Sequence, residues 1–191
     1  MTAFKPLLSL FVLATLFSSA LQAGNDEHKA LNHFYVQFTE AFEHLDTDKL
    51  ASVYDDNACY IPESQGKEIT MGKENILDLY NKFFGKIKHK NARIEVDFRV
   101  IERQMESKNA TDIGYYLIRF HPPVDAGEPV SEFSGKFVNV SKKKQNGQWV
   151  LTVDTSNRSD PSFYFNAKPT PNLYYGRQFS ALPSLESAQS K

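Results

Sequence analysis

The spacing of apolar residues changes once along this chain, near Ala92, from a helical period to strict alternation. That single change restricts the fold more than any motif does. From Asp26 to Leu45, apolar side chains fall at Leu31, Phe34, Tyr35, Phe38, Ala41, Phe42 and Leu45, the stripe of one amphipathic helix. Asp46-Thr47-Asp48 breaks it and starts a short helix, Lys49 to Tyr54, with Thr47 expected as its N-cap. A short apolar strand, Ala58 to Ile61, runs into Pro62 and a polar loop. Gly72-Lys73-Glu74 then opens a helix with Ile76, Leu77, Tyr80, Phe83 and Phe84 on one face. Beyond Ala92 the period is two: Ala92, Ile94, Val96, Phe98 and Val100 alternate with Arg93, Glu95, Asp97 and Arg99. Ile113–Phe120, Phe133–Val140 and Trp149–Thr155 read as further strands, the last two joined as a hairpin across Gln145-Asn146-Gly147. Helices first and strands afterwards predict an α+β domain, with antiparallel strands curled into one sheet and helices on one face of it.

The remaining features set the surroundings of that domain. Lys5, an apolar run from Leu7 to Phe17 and small residues up to Ala23 have the order of a secretory signal peptide, cleaved after Ala23 or after Ala20. A secreted or periplasmic location is expected, with no membrane attachment once the leader is removed. The chain divides into residues 1–23 as leader, 24–160 as domain and 161–191 as an aromatic, Pro-containing tail. Phe163, Tyr164, Phe165, Tyr174, Tyr175 and Phe179 are too many rings for a disordered end, so the tail to Phe179 should lie against the domain or a partner. With 22 basic and 23 acidic residues, no basic excess points to nucleic acid. Cys59 is the only cysteine and cannot pair within the chain, and His28, His33, His44, His89 and His121 form no ligand set, so neither metal nor cofactor is expected.

Three short stretches carry a family resemblance: Tyr54-Asp55-Asp56-Asn57-Ala58 before the first strand, Gly72-Lys73-Glu74-Asn75-Ile76 at the third helix, and Trp149 through Asp154 in the last strand. In that order, over Asp26 to Ser159, the chain resembles the nuclear transport factor 2-like superfamily, and within it SnoaL-like and calcium/calmodulin-dependent kinase II association-domain-like groups. The resemblance implies a conical, curved antiparallel sheet with helices on its concave face (a cystatin-like α+β roll). It also implies a pocket inside the cone and a homodimer formed through the outer face of the sheet.

Of the catalytic relatives, ketosteroid isomerase needs a carboxylate base after the first strand and donors for an oxyanion. Here that neighbourhood reads Tyr60-Ile61-Pro62-Glu63, with Glu63 displaced from the matching position, and the donor position falls near Asn139 or Val140 with no acid. The weak catalytic candidates are Asp154, Arg119, His121 and Glu63. Asp154 stands out because an acid in an apolar strand is costly unless it is paired or placed at a pocket. Expected pocket residues are Tyr35, Tyr60, Tyr80, Phe84, Tyr116, Phe137, Asn139 and Trp149. Alternation sets Tyr116 opposite Arg119 and Trp149 opposite Asp154 unless a bulge intervenes. Two functions stay open: binding of a small apolar or aromatic ligand, with or without slow isomerase, cyclase or hydrolase chemistry, or a non-catalytic dimerisation or assembly module. A cavity plugged by Phe163–Phe165 would favour the second.

Overall fold

The computed structural model describes residues 8–64 and 66–182. The long first helix, α1, spans Leu8–His44, and the short α2 spans Thr47–Ala51. Strand β1 is Tyr54–Ile61, followed by the two-residue β2 at Thr70–Met71 and the helix α3 at Lys73–His89. Four long strands complete the sheet: β3 at Arg93–Met105, β4 at Asn109–His121, β5 at Ser131–Lys143 and β6 at Trp149–Ser159. A last short helix, α4, covers Pro161–Asn166. Residues 1–7 of the expected leader and the terminal stretch 183–191 lie outside the described residues. Among the described residues no helix is long and apolar enough to cross a membrane.

The six strands run in the order β2-β1-β6-β5-β4-β3 in one curved, unclosed sheet. Every pair is antiparallel except β1 with β6, which is parallel. α1 and α3 lie on the concave side, where the α1 stripe of Phe34, Tyr35, Phe38 and Phe42 and the α3 residues Ile76 and Phe84 meet Val96, Phe98, Val100 and Phe137 from the strands. Burying rings of this size supplies on the order of 2–3 kcal/mol each, enough to fix α1 on the sheet.

Several boundaries differ from the sequence expectation: α1 already begins at Leu8, the strands run longer, and the region around α2 is shifted. Asp46, not Thr47, caps α2, its carboxylate accepting from the Asp48 and Lys49 amides. Tyr54 leaves the helix and begins β1, because its ring belongs to the core beside Phe38. β2 was expected to be loop, and it is too short for alternation to register.

Two bulges decide which side chains share a face. Between Val100 and Glu102 the β3–β4 register slips by one, leaving Ile101 extra. Between Val140 and Ser141 the β5–β6 register slips likewise, leaving Thr152 extra on β6. Thr152 returns its hydroxyl to the Val140 carbonyl at 2.9 Å, which satisfies the irregular ladder. A one-residue slip reverses the parity of everything beyond it. Asp154 therefore turns to the same concave side as Leu151, and the opposition of Trp149 and Asp154 expected from plain alternation is undone.

Glycines shape the same surface. Gly114 pairs with Phe137 and Gly135 with Tyr116 across β4 and β5, and a Cβ at either glycine would collide with the facing ring. The absent side chains let both rings lie flat along the concave face, which carries the Tyr116 hydroxyl towards β1.

Most of the tail lies on the opposite, outer face, while Tyr174 at the β3 edge stacks on Tyr35 of the core with ring centroids 5.2 Å apart. Asp160 caps α4 through the Ser162 amide at 2.8 Å, and Tyr164 packs with Leu117 and Phe179. Phe163 stacks on Tyr115 with ring centroids 6.0 Å apart. Further on, Tyr174–Gly176 adds a short antiparallel pairing to the free edge of β3: the Val100 amide donates to the Tyr174 carbonyl at 2.9 Å and the Gly176 amide to the Phe98 carbonyl at 3.0 Å. An open edge strand is a template for unwanted pairing, and the tail occupies part of it. The Arg99 guanidinium sits between the rings of Tyr164 at 4.1 Å and Tyr175 at 4.6 Å. Asp97, buried beside it, accepts from the Tyr164 hydroxyl at 2.8 Å and the Gln178 amide at 3.1 Å. The contact with Asp97 is so close that any side chain at Gly176 would strike the carboxylate.

Candidate functional site

The concave face of the sheet, α1 and α3 enclose a cavity of about 730 Å3. That is within the usual size range of small-molecule sites. α1 contributes Phe34, Phe38 and Phe42, α3 contributes Leu79, Tyr80 and Phe83, and the strands contribute Tyr60, Phe98, Ile118, Phe133 and Phe137. The polar groups among these walls are few: Asp154 and Asn139, with Tyr116, Glu63, Ser156 and Arg158 nearer the loop that follows β1.

Asp154 is buried on β6, and its Oδ2 accepts a 2.5 Å hydrogen bond from the Tyr54 hydroxyl. The Tyr54 oxygen lies 3.2 Å from the Tyr80 hydroxyl. Since the Tyr54 proton goes to Asp154, Tyr80 is the donor to Tyr54, and the three form a relay from α3 through β1 to β6. Burial pushes the Asp154 carboxyl up to about 6 against the Tyr54 hydrogen bond, which pulls the other way. Burial, followed by the charge of Asp154, holds the Tyr54 and Tyr80 phenols well above their usual range. Tyr60 is pushed up to about 12 by burial and then by Asp154. All three phenols are therefore donors at neutral pH, and only Asp154 changes charge near it. Replacing Tyr80 by Phe removes the outer donor of the relay and should cost about 1 kcal/mol in a urea titration.

Glu63 joins three elements at the edge of the cavity. Its Oε2 accepts from the Tyr116 hydroxyl at 2.8 Å and its Oε1 from the Arg158 Nε at 2.8 Å, while the Arg158 guanidinium lies 4.2 Å from the centre of the Phe133 ring. Deeper, the Tyr35 hydroxyl donates to Asp112 Oδ2 at 2.8 Å. The Asn139 Oδ1 is buried without a partner.

Several expected site residues are placed elsewhere. Tyr35 is buried behind the cavity wall on Asp112, and Phe84 is packed into the core against Phe42. Trp149 lies at the far end of β6 with Leu31 and Ala110, and its Nε1 donates to Glu27 at 2.6 Å. Arg119 and His121 face outward: Arg119 bonds Glu132 at 2.8 Å and His121 bonds Glu95 at 2.5 Å, neither near Asp154. Tyr60, Tyr80, Tyr116, Phe137, Asn139, Asp154 and Glu63 all border the cavity. Tyr54, the partner of Asp154, was missed because its position reads as the end of a helix. Arg158 was missed because it lies beyond the last apolar residue of β6. Among the described residues no group of three His, Cys, Asp or Glu side chains is gathered to hold a metal ion.

No protein-family model and no curated protein sequence matches the chain. Solved structures do. A nuclear transport factor 2-like superfamily protein from Salmonella enterica superposes with a TM-score of 0.58 at 11% identity, over 70% of this chain and 91% of that one. This chain has the nuclear transport factor 2-like fold. A ketosteroid isomerase-like protein from Erwinia carotovora matches with a TM-score of 0.56 at 14% identity, over 72% of this chain and 99% of the other. A conserved protein from Planctomyces limnophilus matches with a TM-score of 0.56 at 19% identity, over 70% and 98%. At such identities the likeness is one of fold, and the site has to be argued from its own residues.

Proposed function

We infer that this protein binds a small apolar or aromatic molecule inside the cone and that Asp154 exchanges a proton with it. The observation that supports this reading is a carboxyl group buried among aromatic rings, one oxygen held by Tyr54 and the other left to the cavity's occupant. A carboxyl with a pKa near 6 is a competent base at neutral pH and a competent acid just below it. Isomerisation, cyclisation and hydrolysis each need such a group, and the ketosteroid isomerase-like neighbour has the same frame. Mass spectrometry of ligand carried through native purification identifies the molecule. With that molecule, Asp154→Asn keeps shape, removes the ionisable group and should lower turnover about 100-fold or more. Unchanged turnover and unchanged affinity would remove Asp154 from the site.

The assembly reading had a plugged cavity as its sign, but Phe163–Phe165 lie on the outer face, so the tail favours the binding reading. In place of the homodimer expected from the resemblance, we propose that the tail itself occupies the outer face over β3 and β4. Light scattering at micromolar concentration should return the mass of one protomer; a dimer mass would mean that the tail lifts or that another face is used. The export reading stands as a proposal tested by intact mass, with the mature chain starting near Gly24.

A further inference from the structure

The rim of the cavity carries more positive than negative side chains. Lys82 and Lys86 stand one turn apart on α3, on the same stripe as the lining residues Leu79 and Phe83, and Lys67 comes from the loop after β1. All three are exposed and, among the described residues, none is in a salt bridge. The rim acid Glu63 is already held by Arg158 and Tyr116, which leaves Glu68 as the one unpaired carboxylate there. Between Asp78 and Glu95 the sequence carries Lys82, Lys86, Lys88, Lys90 and Arg93 with no acid, although the chain as a whole has a net charge of −1. The same Lys82 and Lys86 also border a second, shallower apolar groove floored by Phe83, Ile87 and Phe120. The inside of the cavity has the opposite character: aromatic walls and, above a pH of about 6, the negative charge of Asp154.

This arrangement sorts ligands by polarity and sets their direction. An anionic group pushed to the floor would meet the Asp154 carboxylate in a poorly solvated place, where like charges repel strongly. At the rim the same group would meet three unpaired ammonium groups, while an apolar body fills the space between the rings. We propose that the ligand of this site is an amphiphile: an apolar or aromatic body that enters the cavity and an anionic head, carboxylate or sulfate, that stays at Lys67, Lys82 and Lys86. The proposal rests on the ligand-binding reading above and specifies its substrate class.

The test uses two fluorescent probes with one body and two heads, 1-pyrenebutyrate and 1-pyrenebutanol, titrated by anisotropy against the full chain at pH 7.5 and physiological salt. The expected result is binding of both, with the anion about three- to tenfold tighter, the scale of a few exposed charge contacts. In the Lys82→Gln, Lys86→Gln double variant, affinity for the anionic probe should fall toward that of the alcohol. Equal binding of the two probes by the natural chain overturns the amphiphile assignment and leaves the cavity reading intact. Binding of neither probe removes the ligand-binding reading and this inference with it. A preference that survives the double substitution overturns the role of these lysines. Displacement of pyrenebutyrate by acetate at equal concentration would show a surface for simple anions only, which also overturns the proposal.

Discussion

Asp154→Asn should make the protein more stable at pH 8, by about 1–3 kcal/mol, while it removes the proposed chemistry. The reason is linkage. The carboxyl titrates near 6 in the folded state against 3.8 for a free side chain, because burial disfavours its charge. Between these values the folded state holds a proton that the unfolded state has released, so stability is full below about pH 4, falls as pH rises through 6, and levels off above. A shift of this size corresponds to about 3 kcal/mol at pH 8. Asparagine carries no charge to bury, and its amide oxygen can still accept from Tyr54. Against this stands the cost of placing an amide NH2 in a mostly aromatic space, on the order of 1 kcal/mol. The variant should therefore gain most at pH 8, gain little or nothing at pH 4, and lose the slope between them. Urea titrations at both pH values measure this. A variant that is less stable at pH 8 would show the carboxylate to be a structural anchor, and the case for a strained group kept for function would go.

How far the sequence carried the reading depended on whether parity or context decided a residue's place. The change of period at Ala92 located the helices and the four long strands, because burial on one face leaves a strong periodic signal. The same alternation correctly opposed Tyr116 and Arg119, since no bulge falls between them on β4. It failed for Trp149 and Asp154, since the extra residue Thr152 has no mark in the sequence; threonine suits a regular strand equally well. Tyr54 shows the other limit. Its ring and hydroxyl belong to contacts with Phe38, Tyr80 and Asp154, all distant in sequence, and local pattern extended a helix over it. The rings of the tail announced that something would cover them. Which face they would cover was fixed only by Asp97 and Arg99, two charges that plain alternation assigns to solvent.

Asp112→Ala is expected to be strongly damaging, costing about 3–5 kcal/mol. Arg103 has no exposed side-chain surface and Asp112 only 7%, and they meet in a two-point contact, Nε to Oδ1 at 2.6 Å and Nη2 to Oδ2 at 2.8 Å. The remaining guanidinium donors reach the Asn32 Oδ1 at 3.0 Å and the His28 carbonyl at 3.2 Å on α1. Such a pair contributes little net stability beyond an apolar substitute, because both charges lose their water. Breaking it is another matter, since alanine leaves a guanidinium buried with neutral acceptors alone. The bulge at Ile101 is what turns Arg103 inward to this place, so the residue cannot swing to solvent without disturbing β3. Damage should spread to the cavity, because Asp112 also accepts from Tyr35, whose ring packs against the cavity-lining Phe98 and Phe137. The double variant Arg103→Met with Asp112→Leu separates charge from packing. It should recover more than half of the loss in urea titrations, while still leaving Tyr35 without its acceptor. If Asp112→Ala costs less than about 1 kcal/mol, water reaches the guanidinium, and α1 is held to the sheet by its aromatic stripe alone.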